Sequence, residues 1–122
     1  MTHPTPREAT RSDAELVAAA GAGDEQAFRT LYRAYARPVY WLAHSLVGTQ
    51  ADAEDVTQET FLAAWRKLPA LELAGQSLLP WLVTICRFQS ANRIRRQQRD
   101  RHGKRQRERQ HRPGARAAQE AS

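Results

Sequence analysis

The stretch DAEDVTQETFLAAW, Asp52–Trp65, decides the fold. Its acidic residues stand at the start and its large apolar ones at the end. Asp52, Glu54 and Asp55 would occupy the first turns of a helix, where the positive end of the backbone dipole favours negative charge. Thr49 is placed to cap that helix, and Leu68-Pro69 ends it, which predicts a helix over 51–68. Val56, Phe61, Ala64, Trp65 and Leu68 recur at helical spacing and mark the side that turns toward a core. Asp55, Gln58 and Glu59 stand at i, i+3 and i+4, so they project from one face. A row of acceptors of this kind is either ordinary solvated surface or a dock for arginines on another protein, and spacing alone leaves both readings open.

Further helices are predicted on both sides. Ser12 followed by Glu15 has capping-box spacing and starts a short helix through about Ala20. GAGD at 21–24 interrupts it, and Asp24 can cap the next segment. There Phe28, Leu31, Tyr32, Tyr35, Val39, Leu42, Ala43 and Leu46 form one apolar stripe. Pro38 lacks a backbone donor, so a kink or short break is expected near Ala36 and Arg37, while Gly48 supplies the stop. Residues 69–77 read as a connecting loop. Ser77 then caps a fourth helix whose apolar stripe, Leu78, Leu82, Ile85, Cys86 and Ile94, continues to about Arg99. The expected fold class is therefore all-α: a small bundle of about four helices over 12–100, with disordered tails at 1–11 and 101–122.

With 122 residues and 41% hydrophobic content there is room for one modest core. Charge is strongly polarised. Arg87 to Arg116 holds 12 Lys and Arg against Asp100 and Glu108, whereas the rest of the chain holds 7 basic and 11 acidic residues. A basic block seeks polyanions and an acidic surface repels them, so the two parts call for different partners. Within the basic block, Arg87, Arg95, Arg96 and Arg99 are interleaved with Phe88, Gln89, Asn92 and Gln97, and Trp81 precedes them. Arginines neutralise phosphates, Asn and Gln reach base edges, and exposed rings stack on unpaired bases. For the arginines this favours nucleic acid. Trp81 and Phe88 read equally well as core.

Several function classes are disfavoured. Cys86 is the only cysteine, and it stands beside Ile85 on an apolar face, as a buried structural thiol would. His3, His44, His102 and His111 have no spacing suited to a metal, so no metal or cofactor is expected. Neither a glycine-rich phosphate loop nor a nucleophile elbow is present, which argues against an enzyme. The N-terminus lacks a signal-peptide core, and LLPWLVTIC is too short to span a bilayer; a cytoplasmic protein without membrane contact is expected.

Taken together, LVAAAGAGDEQAFRTLYRAYARPVYWLAHSLVGTQADAEDVTQETFLAAWRKL (16–68) and PWLVTICRFQSANRIRRQQR (80–99) resemble region 2 of bacterial sigma-70 factors, specifically the extracytoplasmic-function (ECF) group. The resemblance implies an all-helical domain that binds the β′ clamp helices of core RNA polymerase and then recognises and melts the promoter −10 element. The family's Asp-x-x-Gln-Glu pattern falls on Asp55, Gln58 and Glu59, which would make them polymerase-binding. Lys67, Trp81, Arg87, Phe88, Asn92, Arg95, Arg96 and Arg99 would then contact the −10 DNA, preferably its single-stranded non-template strand. An anti-sigma factor is a further implied partner. The family often has Asn at the position of Phe88, Asp at that of Asn92 and Arg at that of Thr84, which bears on promoter preference rather than on fold. It also continues into a region 4, absent before Ser122, so a truncated, decoy-like sigma domain that directs no transcription is the alternative reading.

Overall fold

Capping side chains mark out the helices. A computed structural model of the chain describes residues 11–73 and 76–111, with side chains through Gln106. Helix α1 is Asp13–Gly21, α2 Glu25–Val47, α3 Gln50–Lys67 and α4 Leu79–His111, with a 3-10 turn at Leu68–Ala70. No strand occurs among the described residues, and the fold is all-α. Of the tails expected to be disordered at 1–11 and 101–122, residues 1–10 and 112–122 lie outside the described residues, whereas 101–111 are helical. Two units are distinguished along the chain, one ending at Ser90 and the other beginning at Ala91.

The Ser12 hydroxyl accepts the Glu15 N–H at 3.2 Å and meets the Glu15 carboxylate at 3.4 Å. Asp24 caps α2 by accepting the Gln26 and Ala27 N–H groups at 3.0 and 3.3 Å. Gly48 adopts φ +86°, a left-handed conformation that L side chains resist, and its N–H returns to the His44 carbonyl at 2.9 Å. One residue later the Thr49 hydroxyl accepts the Asp52 N–H at 3.2 Å and opens α3. Gly21 serves a close approach instead. A Cβ there would stand 3.3 Å from the Leu68 carbonyl oxygen and from the Pro69 Cα, where the end of α1 meets the 3-10 turn.

Two expectations about helix limits are corrected. The break near Ala36 and Arg37 does not occur, because α2 is helical throughout Glu25–Val47 with Pro38 inside it. The carbonyl that loses its donor belongs to Ala34, and both Ala34 and Pro38 are exposed, so water can serve it and no buried polar group is orphaned. The end expected near Arg99 is also passed, since α4 continues to His111. Its last turns are rich in Arg, Lys, Gln and Glu, which lose little rotamer freedom in a helix.

In the first unit, α2 packs on α1 and α3, and α1 also meets the 3-10 turn. The core joins Leu16, Val17 and Ala20 of α1, Ala27, Leu31, Val39 and Ala43 of α2, and Ala53, Val56, Phe61, Ala63 and Ala64 of α3. Leu68, Leu78, Leu82, Ile85 and Cys86 complete it. Phe28 anchors one edge, with its ring 4.9 Å from Trp65 and 6.4 Å from Phe61. Two threonines that the polar-face reading of α3 passes over, Thr57 and Thr60, are buried. Their hydroxyls donate to the Ala53 and Val56 carbonyls at 2.7 Å, so burial leaves neither unsatisfied. Conversely, Tyr32 and Leu46 of the α2 stripe are exposed, because the stripe is wider than the surface α1 and α3 cover.

Candidate functional site

Helix α3 presents Asp55 and Gln58 at the surface and holds Glu59 half-buried. The helix is fixed by its cap at Thr49 and by the buried row on its other side, so the acceptor face is rigid. Glu54 extends that face and receives a hydrogen bond from the Gln50 amide at 3.1 Å. Beside it, α2 exposes an aromatic group: Tyr40 and Trp41 meet edge-on at 5.2 Å, and each ring lies 6.0 Å from His44. Trp41 is 60% exposed, although a side chain of that size is normally well covered. Between the two helices runs a groove of about 600 Å³ lined by Tyr32, Arg37, Tyr40, Trp41, Glu54 and Gln58. The sequence reading found Gln58 and missed the aromatic wall. Trp41 and Tyr40 flank the α2 stripe by one register position, and that offset was the available signal.

Of the residues expected to contact DNA, Lys67 is exposed at the last position of α3. Trp81 lies in the first turn of α4 and is half-buried against the core, while Phe88 is 60% exposed. The two aromatics thus divide: Trp81 is partly structural, and Phe88 offers its ring to solvent. Arg87 is exposed as well.

In the unit that begins at Ala91, Arg95, Arg96 and Arg99 are exposed and Asn92 is half-buried. Arg95 donates through Nη2 to the Asn92 Oδ1 at 2.6 Å, which leaves the Asn92 amide hydrogens for another partner. Asn92, Arg95, Gln98, Arg99, His102 and Gly103 line a groove of about 740 Å³. Its donors suit phosphate oxygens and base acceptors.

Cys86 is free and buried, with its thiol 3.8 Å from the Val39 carbonyl. Burial pushes its pKa up, against weaker opposing hydrogen bonds with Ser90 and Thr60, so it is held as the neutral thiol. Among the described residues no group of three His, Cys, Asp or Glu could hold a metal ion. No helix among them is long and apolar enough to cross a membrane.

Comparison with known proteins gives the family. The Sigma-70 region 2 family matches residues 31–100. The ECF RNA polymerase sigma factor BldN of Streptomyces coelicolor is 45% identical over 73 residues, covering 60% of this chain and 28% of BldN. SigK of Mycobacterium tuberculosis, also an ECF RNA polymerase sigma factor, is 34% identical over 95 residues, covering 78% of this chain and 50% of SigK. SigM of the same organism, of the same description, is 37% identical over 86 residues, 70% of this chain and 43% of SigM. The chain therefore spans from about a quarter to a half of the length of these relatives. No solved structure gives a significant match. By the family match over most of α2 through α4, and by these relatives, the chain belongs to the sigma-70 region 2 family, in its ECF group.

Proposed function

We propose that this chain is a promoter-recognition module that docks on core RNA polymerase through α3 and reads the −10 element through α4. The observation that carries the polymerase half is the α2–α3 groove, which Glu54 and Gln58 line together with the half-buried Tyr40 and the exposed Trp41. An acceptor row beside uncovered aromatics suits a helical partner rich in basic residues: carboxylates take its arginines, and the rings supply the buried anchor that dominates most interfaces. The family's polymerase pattern, Asp55, Gln58 and Glu59, lies on the same helix. The β′ clamp helices are the partner proposed for it.

The DNA half rests on the exposed Lys67, Arg87, Phe88, Arg95, Arg96 and Arg99, together with Asn92 and Trp81. Cationic side chains near an exposed ring favour separated strands, because an unpaired base can stack while phosphates are neutralised. Extruding a base from a duplex costs a few kcal/mol, and contacts to that base can return ~1–3 kcal/mol. Nothing in this division of labour requires covalent chemistry from the chain.

The test is co-purification with core RNA polymerase, followed by transcription from a promoter with an ECF-type −10 element. Changing Asp55, Gln58 and Glu59 together to alanine should weaken polymerase binding by at least about tenfold, and Trp41→Ala by a comparable factor. Unchanged binding by the triple variant would remove the dock assignment. A chain that binds polymerase and suppresses transcription by other sigma factors, without starting its own, would be a decoy instead.

A further inference from the structure

Asp13 makes a hydrogen bond between elements far apart in sequence. From the first turn of α1, its Oδ2 accepts the Leu78 N–H at 2.7 Å, across 65 residues of sequence. The same oxygen accepts the Tyr35 hydroxyl of α2 in a short hydrogen bond. Tyr35 in turn lies 3.2 Å from the Ser77 hydroxyl, and Ser77 accepts the Leu79 N–H at 3.1 Å. One carboxylate thus ties α1 and α2 to the residue from which α4 starts. Leu78 passes the constraint on, because its carbonyl receives the N–H groups of Trp81 and Leu82, both at 3.1 Å.

A helix opening is normally satisfied by its own cap residue. Here Ser77 serves one amide, and a charged group from another helix serves the amide before it. A charge-assisted hydrogen bond is about twice as strong as a neutral one, and a carboxylate next to a helix N-terminus gains further from the dipole. Burial and the Asp13 hydrogen bond both raise the Tyr35 pKa, so the phenol remains a donor and keeps the carboxylate in place. The joint is built from three elements, yet it serves a single point: the entry to α4, just ahead of Trp81.

We propose that Asp13, held by Tyr35, is a positioning residue that sets the start of α4 and with it Trp81 for contact with −10 DNA. The DNA role rests on the reading under Proposed function; the clamp itself does not. Asp13 stands on α1, whereas the residues proposed for polymerase binding stand on α2 and α3, so its loss should separate the two activities.

The full chain with Asp13→Ala, Asp13→Asn and Tyr35→Phe is compared with wild type in three measurements. Amide exchange by NMR should accelerate about tenfold or more at Leu78 and Leu79 in Asp13→Ala, while amides of Val56 and Thr60 keep their rates. Binding of a fluorescent single-stranded −10 oligonucleotide by the polymerase-bound chain should weaken about fivefold or more, with polymerase co-purification unchanged. Asp13→Asn keeps an acceptor oxygen and should fall between Asp13→Ala and wild type. Unchanged exchange at Leu78 overturns the clamp, and so does acceleration at every core amide, which would make Asp13 a general stabiliser. Faster exchange at Leu78 with undiminished oligonucleotide binding overturns its positioning role. A wild-type chain that binds neither polymerase nor DNA overturns the promoter reading and the positioning role with it, while the exchange measurement still decides the clamp.

Discussion

Phe88 and Leu82 are separated by less than two turns of α4 and face opposite demands. Phe88 is 60% exposed and Leu82 fully buried, so truncation should divide stability from binding. Leu82→Ala removes core contacts and should cost ~2–5 kcal/mol, whereas Phe88→Ala should change stability by no more than ~0.5 kcal/mol. Urea unfolding reads that difference, and of these two variants, each measured where it remains folded, Phe88→Ala is the one that should weaken oligonucleotide binding. A second residue-scale expectation concerns pH. Tyr35 has its pKa raised above the usual 10.0, chiefly by burial and then by Asp13. A raised pKa on an acid means that the folded state keeps its proton where the unfolded state has lost it. Stability from this group is therefore complete below the unfolded value and is lost as pH climbs through the folded one. Cys86, raised by burial from 9.0, acts in the same direction from a lower starting point. Urea midpoints measured from pH ~8 to pH ~11 should fall for wild type and fall less for Tyr35→Phe, with the Cys86 contribution remaining. An equal fall in both would show that Tyr35 does not titrate differently on folding.

At the scale of elements, what was legible was punctuation. Ser12, Asp24, Gly48 and Thr49 announce their roles because caps and left-handed stops depend on side chains within a few residues, and all four act where the sequence places them. The break expected at Pro38 does not occur because its effect depends on surroundings: a lost hydrogen bond breaks a helix only if the freed carbonyl has no alternative. The exposed setting of Ala34 supplies one, and the packing of α2 against α1 and α3 holds the rest of the helix. Pro38→Ala restores the missing donor and should raise stability, by up to ~3 kcal/mol, without altering the α2 register. Gly48→Ala should do the reverse, costing ~1 kcal/mol or more, because an alanine at φ +86° is strained. Thermal midpoints of the two variants should therefore move in opposite directions. The far end of α4 was illegible for a related reason. Apolar periodicity reports packing, and from Arg95 to His111 the sequence holds no large apolar residue, so the pattern gives no sign of where the helix ends.

Across the whole molecule, the charge polarity visible in the sequence falls on different elements, an acidic helix face on α3 and an arginine series on α4. The acceptor row itself was readable from i, i+3, i+4 spacing. Its aromatic neighbours Tyr40 and Trp41 were not, since only the packing of α2 against α3 brings them beside Gln58. Placing the two proposed roles on different elements has a measurable consequence in salt. Each phosphate neutralised on a single strand releases condensed counterions, which contributes about −0.7 to the slope of log K against log salt. Removing Arg95, Arg96 and Arg99 together should therefore lower the magnitude of that slope by up to about 2 for −10 oligonucleotide binding, and weaken binding most at low salt. Polymerase binding should respond differently, because its groove joins polar side chains, Glu54 among them, to an aromatic wall whose contribution salt does not screen. The triple arginine variant should keep wild-type affinity for core polymerase at every salt concentration, while Trp41→Ala should weaken polymerase binding and leave the oligonucleotide slope unchanged. Titrations of both partners across a salt series make this comparison, and loss of polymerase binding in the arginine variant would mean that the two surfaces are not independent.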